Sequence, residues 1–227
     1  MFYMLKTNIT QKEETLLKKE ILRKSIHIFS LLIPVIYIFV DQVLALSILG
    51  PMMLVSLLIE VLNYKHEPTR RIFMRIFGVI LRPHEIQRRF TLNGATCVLI
   101  SAFFTVLIFP KIVMVTAFTI LIISDMSAAL IGRRFGQTPF LNKSLEGSLA
   151  FALTAMMTVV AYGLIFAAPW TYFLFGLIAA VIGAIVEGAS ENFKIDDNFS
   201  IPFSVSLFLW LTGFLADFLG FPYLHIL

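Results

Sequence analysis

The feature that most limits how this chain can fold is a series of long apolar stretches, each ended by a short polar segment. A helix needs about 20 apolar residues to cross a bilayer, and seven stretches approach or reach that length. They cover residues 25–40, 42–63, 92–110, 112–132, 147–168, 171–189 and 200–219. Backbone polar groups in lipid must be paired within the chain, so such stretches form helices. The sequence therefore predicts an all-α polytopic membrane protein with about seven transmembrane helices and cytoplasmic amphipathic segments.

The composition excludes an ordinary soluble domain. Apolar residues make up 59% of the 227 residues and charged residues only 14%, whereas soluble domains have about 25% charged residues. If the helices alternate in direction, all of the 18 lysines and arginines except Lys111 fall on one side of the membrane. Cations concentrate on the cytoplasmic side, so we expect the N-terminus in the cytoplasm and the C-terminus on the opposite side. The net charge of +4 then reflects orientation and does not indicate nucleic acid.

Two segments outside the apolar stretches are amphipathic. Residues 1–24 are predicted to be a cytoplasmic N-terminal segment whose helical part lies on the membrane. Residues 25–227 are predicted to be a single transmembrane domain that carries the candidate catalytic residues. Its interfacial segment, 64–91, alternates cations with apolar residues, which is typical of a lipid-headgroup anchor. In a second interpretation, Arg82, Glu85 and Arg89 rim the entrance to the active site.

The most distinctive polar pattern spans residues 123–150. Asp125 is a lone carboxylate in an apolar helix that is expected to end at Gly132. Carboxylates are costly in hydrocarbon, so one that is retained there is a candidate functional residue. A new helix is expected at about Gly147. The intervening loop supplies groups that bind anions: Arg133, Arg134, Lys143 and Ser144. Cations and a helix N-terminus hold phosphate, and a carboxylate holds a metal ion, so we predict a site for a metal-bound polyphosphate. A structural ion pair between Asp125 and Arg133 is the alternative.

Ser144 is also placed to cap the second of these helices, with Glu146 in its first turn. Capping and phosphate binding are compatible because both use the same helix end. Glu187 and Glu191 are four residues apart on one helix face, and Asp196, Asp197 and Asn198 follow. Oxygen donors in this number suit a hard divalent cation, although Glu191 and Asp196 also fit a solvated acidic loop.

Polar groups at the starts of two other apolar stretches are further candidates. Arg23, Lys24 and His27 precede or open the first stretch, and Asn93 and Thr96 open the third. One interpretation is structural, with flanking cations as anchors and Asn93 as a helix cap. The other is functional, with all five contacting phosphate or nucleotide.

Five segments together resemble the polyprenol kinase family, which includes dolichol kinase, phytol kinase and CTP-dependent diacylglycerol kinase. They are RKSIH at 23–27, LNGAT at 92–96, SDMSAALIGRRFG at 124–136, NKSLEGSLA at 142–150 and VEGASENFKIDDNFSIP at 186–202. Ser124 stands where the family often has glycine. The resemblance implies an integral membrane enzyme that uses CTP and Mg2+, or another divalent cation, to phosphorylate a lipid alcohol such as a polyprenol, dolichol, phytol or diacylglycerol.

The resemblance also implies a set of site residues: Arg23, Lys24, His27, Asp125, Arg133, Lys143, Ser144, Glu146, Gly147, Glu187, Asp197 and Asn198. Asp125 and Glu187, with Asp197 or Asn198, would hold one or two magnesium ions. Arg133, Lys143 and the helix start at Ser144 would neutralise phosphate charge, and Asp125 or Asp197 would take the hydroxyl proton. Membrane lipids are expected partners, and a homo-oligomer is compatible with the sequence.

Two other functions compete with a kinase. Phosphatidate cytidylyltransferases, which make a CDP-activated lipid, share the Asp-x-x-Ala…Gly-Arg and Lys-x-x-Glu-Gly runs. The ending of this chain, from Glu187 through Asp197 and Asn198 to Pro202, favours the kinase. A small transporter is disfavoured because the polar motifs gather on one side of the membrane, whereas transporters bind at the midplane.

Overall fold

The computed structural model describes residues 24, 27–78, 81, 86, 92–193 and 196–223. Its helices are α1 (Leu32–Phe39), α2 (Gln42–Lys65), α3 (Glu67–Phe77), α4 (Gly94–Ile108), α5 (Lys111–Phe135), α6 (Leu145–Ile165), α7 (Trp170–Phe193) and α8 (Asp197–Phe218). An antiparallel hairpin of β1 (Pro139–Phe140) and β2 (Lys143–Ser144) joins α5 to α6. Residues 1–23 of the predicted N-terminal segment 1–24, including Arg23, lie outside the described residues, as do Arg82, Glu85, Arg89 and the side chain of Glu191.

Five of the described helices, α2, α5, α6, α7 and α8, are long and apolar enough to cross a membrane. The chain is therefore an all-α integral membrane protein, as the sequence predicts. Two shorter apolar helical segments lie in the other two predicted stretches. They are His27–Phe39, which includes α1, and Gly94–Ile108, which is α4. The 15 residues of α4 extend about 22 Å, which is less than the roughly 30 Å of a bilayer core.

Helix α5 is the centre of the bundle. It packs against α1, α6 and α8, and every residue from 112 to 122 is buried. A helix that is apolar on all sides suits such a core or the lipid of a membrane, and this part of α5 lies in the core. In contrast, α2 packs mainly on α4 and on the short α3, and it leaves large apolar side chains such as Val43 and Leu54 exposed.

Apart from the short α3, successive helices alternate in direction, so the bundle has two distinct ends. One end, called here the polar end, contains the C-termini of α2, α5 and α7 and the N-termini of α4, α6 and α8. Contacts join these termini: the Asn142 N–H donates to the Gly188 carbonyl over 3.1 Å, and the Asn93 N–H donates to Glu60 over 3.1 Å. At the opposite end the Lys111 ammonium donates to the Val40 carbonyl over 2.8 Å.

Three predicted boundaries were wrong by two or three residues at the polar end. Helix α5 continues to Phe135 instead of ending at Gly132, so Arg133 and Arg134 lie in its last turn, where cations are favourable beside the helix dipole. Helix α6 begins at Leu145. Helix α8 begins at Asp197 and not at residue 200, because the Asp196 carboxylate caps it by accepting the Asn198 N–H over 3.0 Å.

Candidate active site

Lys143 joins two carboxylates at the polar end. Its Nζ lies 2.6 Å from Glu187 Oε1 and 3.4 Å from Asp197 Oδ2. The hairpin positions this lysine, because β2 begins at Lys143 and the preceding Asn142 is held to α7 through Gly188. Glu187 is only 2% exposed, so its charge depends on this neighbour. The ion pairs therefore bring α7, α8 and the α5–α6 connection to one point.

The ammonium of Lys143 remains charged despite its surroundings. Burial on its own lowers the pKa of this group, but the carboxylates of Asp197 and Glu187 outweigh that effect and raise the pKa above its ordinary value. A lysine held in this way is a permanent cation at neutral pH. Such a cation suits the binding of an anionic ligand.

Asp125 belongs to the same electrostatic group. Its carboxylate forms a salt bridge with Lys24, whose ammonium also lies 3.5 Å from the Asp125 backbone oxygen. Lys143 and His27 attract the same carboxylate. The alternative pairing of Asp125 with Arg133 was wrong, because Lys24, 101 residues away in the sequence, is the cation that pairs with it. The structure thus gathers Lys24, His27 and Asp125 beside the Lys143 ion pairs.

The start of α6 lies next to Lys143. Ser144 is its N-cap and accepts the Gly147 N–H over 3.2 Å, which confirms the predicted cap. A Cβ at Gly147 would lie 3.0 Å from the Ala128 oxygen, so glycine favours the close approach of α6 to α5. Glu146 accepts the Thr138 N–H over 3.1 Å. That carboxylate therefore closes the hairpin and does not join the lysine ion pairs.

Other predicted site residues lie elsewhere at the polar end. Arg133 and Arg134 are exposed, and the Arg134 guanidinium lies over the ring of Phe135. Asn93 caps α4 by accepting the Thr96 N–H over 2.8 Å, as the structural interpretation predicts. The Asn198 amide donates to Asp196 Oδ1 over 2.6 Å and to the Gly94 carbonyl over 3.5 Å. Its side chain therefore links α8 to α4.

Glu60 is a polar-end residue that the sequence analysis missed. It is 5% exposed and accepts hydrogen bonds from the Asn93 N–H and, over 3.3 Å, from the Thr96 hydroxyl. The signal was present in the sequence, because a lone carboxylate interrupts the apolar run of α2 just as Asp125 interrupts that of α5. Ser56 and Asn63 share its helix face by spacing.

The described residues offer oxygen donors for a metal but no ready-made metal cage. Among them, no three His, Cys, Asp or Glu side chains are grouped closely enough to hold an ion. Glu187 Oε2 is nevertheless buried without a hydrogen-bond partner, and buried polar atoms normally have one. Magnesium is usually held by one or two carboxylates together with substrate phosphates. One or two of the donors Asp125, Glu187 and Asp197 therefore fit an ion of that kind, bound together with a phosphate.

An uncharacterized protein of Rickettsia prowazekii, RP860, is 31% identical to the chain over 186 residues, covering 82% of this chain and 90% of the relative. The chain belongs to the same family as this protein. CTP-dependent diacylglycerol kinase 1 of Saccharomyces cerevisiae is 27% identical over 216 residues, or 85% of this chain and 73% of the relative. The Schizosaccharomyces pombe protein of that name is 29% identical over 168 residues, which cover 67% of this chain and 73% of the relative.

The similarity to the two yeast proteins supports a place for this chain in a polyprenol and diacylglycerol kinase-like family. No family model and no solved structure matches the chain.

Proposed function

We propose that the chain is a CTP-dependent kinase that transfers the γ-phosphate of the nucleotide to the hydroxyl of a membrane lipid alcohol. The observation that carries the proposal is Lys143, which is paired with Glu187 and Asp197 beside the capped start of α6. The names of the two yeast relatives, both CTP-dependent diacylglycerol kinases, support the nucleotide and the reaction. The acceptor class is a polyprenol, dolichol, phytol or diacylglycerol.

Electrostatics supply most of the catalysis in phosphoryl transfer, because the protein has little covalent chemistry to perform. Lys143, Lys24 and the first N–H groups of α6 would bind the phosphate oxygens. Asp125, Glu187 and Asp197, with Asn198, would hold one or two divalent cations, which neutralise phosphate charge when bound. Asp125 or Asp197 would accept the proton of the lipid hydroxyl. Until substrate binds, the lysines and carboxylates neutralise one another.

The proposal includes an arrangement in the membrane. We propose that residues 25–227 form one catalytic domain with seven membrane-crossing helices, the polar end facing the cytoplasm. The nucleotide would then enter from water, while the lipid tail stays beside the apolar helix faces. Segment 64–91 would lie in the membrane interface, and α3 is the helix within the part of this segment that the structure describes.

The test is an assay of the purified protein with four nucleotides, each labelled at the γ-phosphate, against a panel of lipid alcohols in the presence of Mg2+. We expect label in the lipid with CTP and much less with the other three nucleotides. Release of pyrophosphate with a CDP-lipid product would instead identify a cytidylyltransferase, the competing function.

A matched pair of variants tests the site itself. Asp125→Asn should lower phosphorylation by about 100-fold or more, because it removes a carboxylate at the reacting phosphate, while membrane insertion is retained. Asp217→Asn alters an exposed carboxylate in the last turn of α8, at the opposite end of the bundle, and should leave activity unchanged. Normal turnover by the Asp125→Asn variant would exclude the proposed site.

A further inference from the structure

Glu60 is a buried carboxylate in a helix that is otherwise almost entirely apolar. Helix α2 is highly apolar and leaves much of its surface exposed to lipid, yet this carboxylate is 5% exposed. An ionised group in such a position is expensive unless it is hydrogen-bonded. None of the roles assigned above to nucleotide, metal or lipid uses it.

The hydrogen bonds of Glu60 hold the start of the neighbouring helix. Its Oε1 accepts the backbone N–H of Asn93 over 3.1 Å and the hydroxyl of Thr96 over 3.3 Å. The Thr96 hydroxyl also lies 2.6 Å from Ser56 Oγ, one turn earlier on α2. A carboxylate at a helix N-terminus is favoured by the helix dipole. Glu60 therefore caps α4 from outside, next to the cap that Asn93 itself provides.

The start of α4 in turn contacts the start of α8. The carbonyl of Gly94 accepts the side-chain amide of Asn198 over 3.5 Å. A Cβ at Gly94 would lie 3.3 Å from the same amide nitrogen, so the two helix starts fit closely. Asn198 follows Asp197, whose carboxylate pairs with Lys143. Asn93 and Gly94 at the start of α4, and Asn198 at the start of α8, thus connect Glu60 to the ion pairs of the candidate site.

We propose that Glu60 is a positioning residue: by capping α4 it sets the place of Asn198 and Asp197, and so the geometry with which the site holds the nucleotide phosphates. The inference rests on the proposed kinase function for its kinetic consequence. Its structural part, that Glu60 orders the starts of α4 and α8, does not depend on the reaction.

The kinetic test compares two substitutions at one position. Glu60→Leu removes the acceptor and keeps a side chain of similar size in an apolar helix, so the bundle should still fold. We expect it to raise the KM for CTP about tenfold or more, because the Asn93 N–H and the buried Thr96 hydroxyl lose a charged acceptor. Glu60→Gln keeps a side-chain oxygen in place and should remain within about threefold of the unsubstituted enzyme. If Glu60→Gln is as impaired as Glu60→Leu, the charge itself acts in the reaction and the positioning role is overturned.

The structural test uses amide hydrogen exchange of the full-length protein, without nucleotide. Glu60→Leu should speed exchange at residues 93–97 and 196–200, and Glu60→Gln should restore slow exchange there. Thr116→Val is the matched control: it removes a buried hydrogen bond to Tyr172, towards the end of the bundle opposite the polar end, and should change neither region. Unchanged exchange in Glu60→Leu overturns the inference. Absence of kinase activity in the unsubstituted protein would overturn the proposed function alone, because exchange still decides the role of Glu60.

Discussion

Replacement of Lys143 by methionine should separate the stability of the site from its activity. Methionine has nearly the length of lysine without the charge, so the change removes the ion pairs with Glu187 and Asp197 and little packing. Removal of one partner from a buried pair leaves an uncompensated charge, which costs about 3–5 kcal/mol. Here the exposed fraction is 3% for the Glu187 side chain, 28% for Lys143 and 22% for Asp197.

These exposures decide where in that range the loss falls. Glu187 is fully buried, but water reaches the other two side chains, so we expect the lower end, about 3 kcal/mol. For a chain of this size the loss corresponds to a decrease of roughly 6–12 °C in Tm. The double variant Lys143→Met with Glu187→Gln removes the stranded charge, and we expect it to recover about 2 kcal/mol of the loss. Activity should remain at least about 100-fold down in both, because the phosphate-binding cation is missing.

The assay is thermal unfolding of the protein in one fixed lipid–detergent mixture, with CTP-dependent phosphorylation measured on the same preparations. Glu187→Gln alone completes the double-mutant cycle and gives the coupling free energy between Lys143 and Glu187. Two results would refute the reasoning. A double variant as unstable as Lys143→Met would mean that the stranded Glu187 charge is not the cause, and full activity in Lys143→Met would remove this lysine from phosphate binding.

Three further predictions follow from the described structure. The pKa of Lys143 is raised above its ordinary value of 10.5, so the stabilisation from its ion pairs should be complete below that pH and lost as pH rises through the folded-state pKa. In alkaline unfolding experiments, Lys143→Met should not show this decrease in stability. Gly176→Ala places a Cβ 2.3 Å from Val159 Cγ1 and should lower thermal stability by about 1–3 kcal/mol, with Val159→Ala relieving part of the clash. The double variant Arg71→Gln with Arg75→Gln, on the exposed basic face of α3, should lower turnover about tenfold in anionic vesicles and leave it unchanged in neutral vesicles; equal loss in both vesicle types would contradict a headgroup contact.

Local interactions explain which site features were predictable. The caps at Asn93 and Ser144 follow from short polar side chains before an apolar run, and the structure contains both. Asp125 and Glu187 could be singled out because a carboxylate in an apolar helix needs a reason. The same rule applied to α2 would have found Glu60. The helix boundary at Gly132 failed because a single glycine does not end a helix whose following residues still propagate it.

The sequence by itself determined the class of protein and the order of its helices, because the length of each apolar run and the residues at its ends act locally. Only the tertiary structure decided which cation meets which carboxylate. Lys24 and Asp125 are separated by 101 residues and Lys143 and Glu187 by 44. Their meeting depends on how each helix is rotated and on how closely it packs against the next, and packing across the whole bundle sets both.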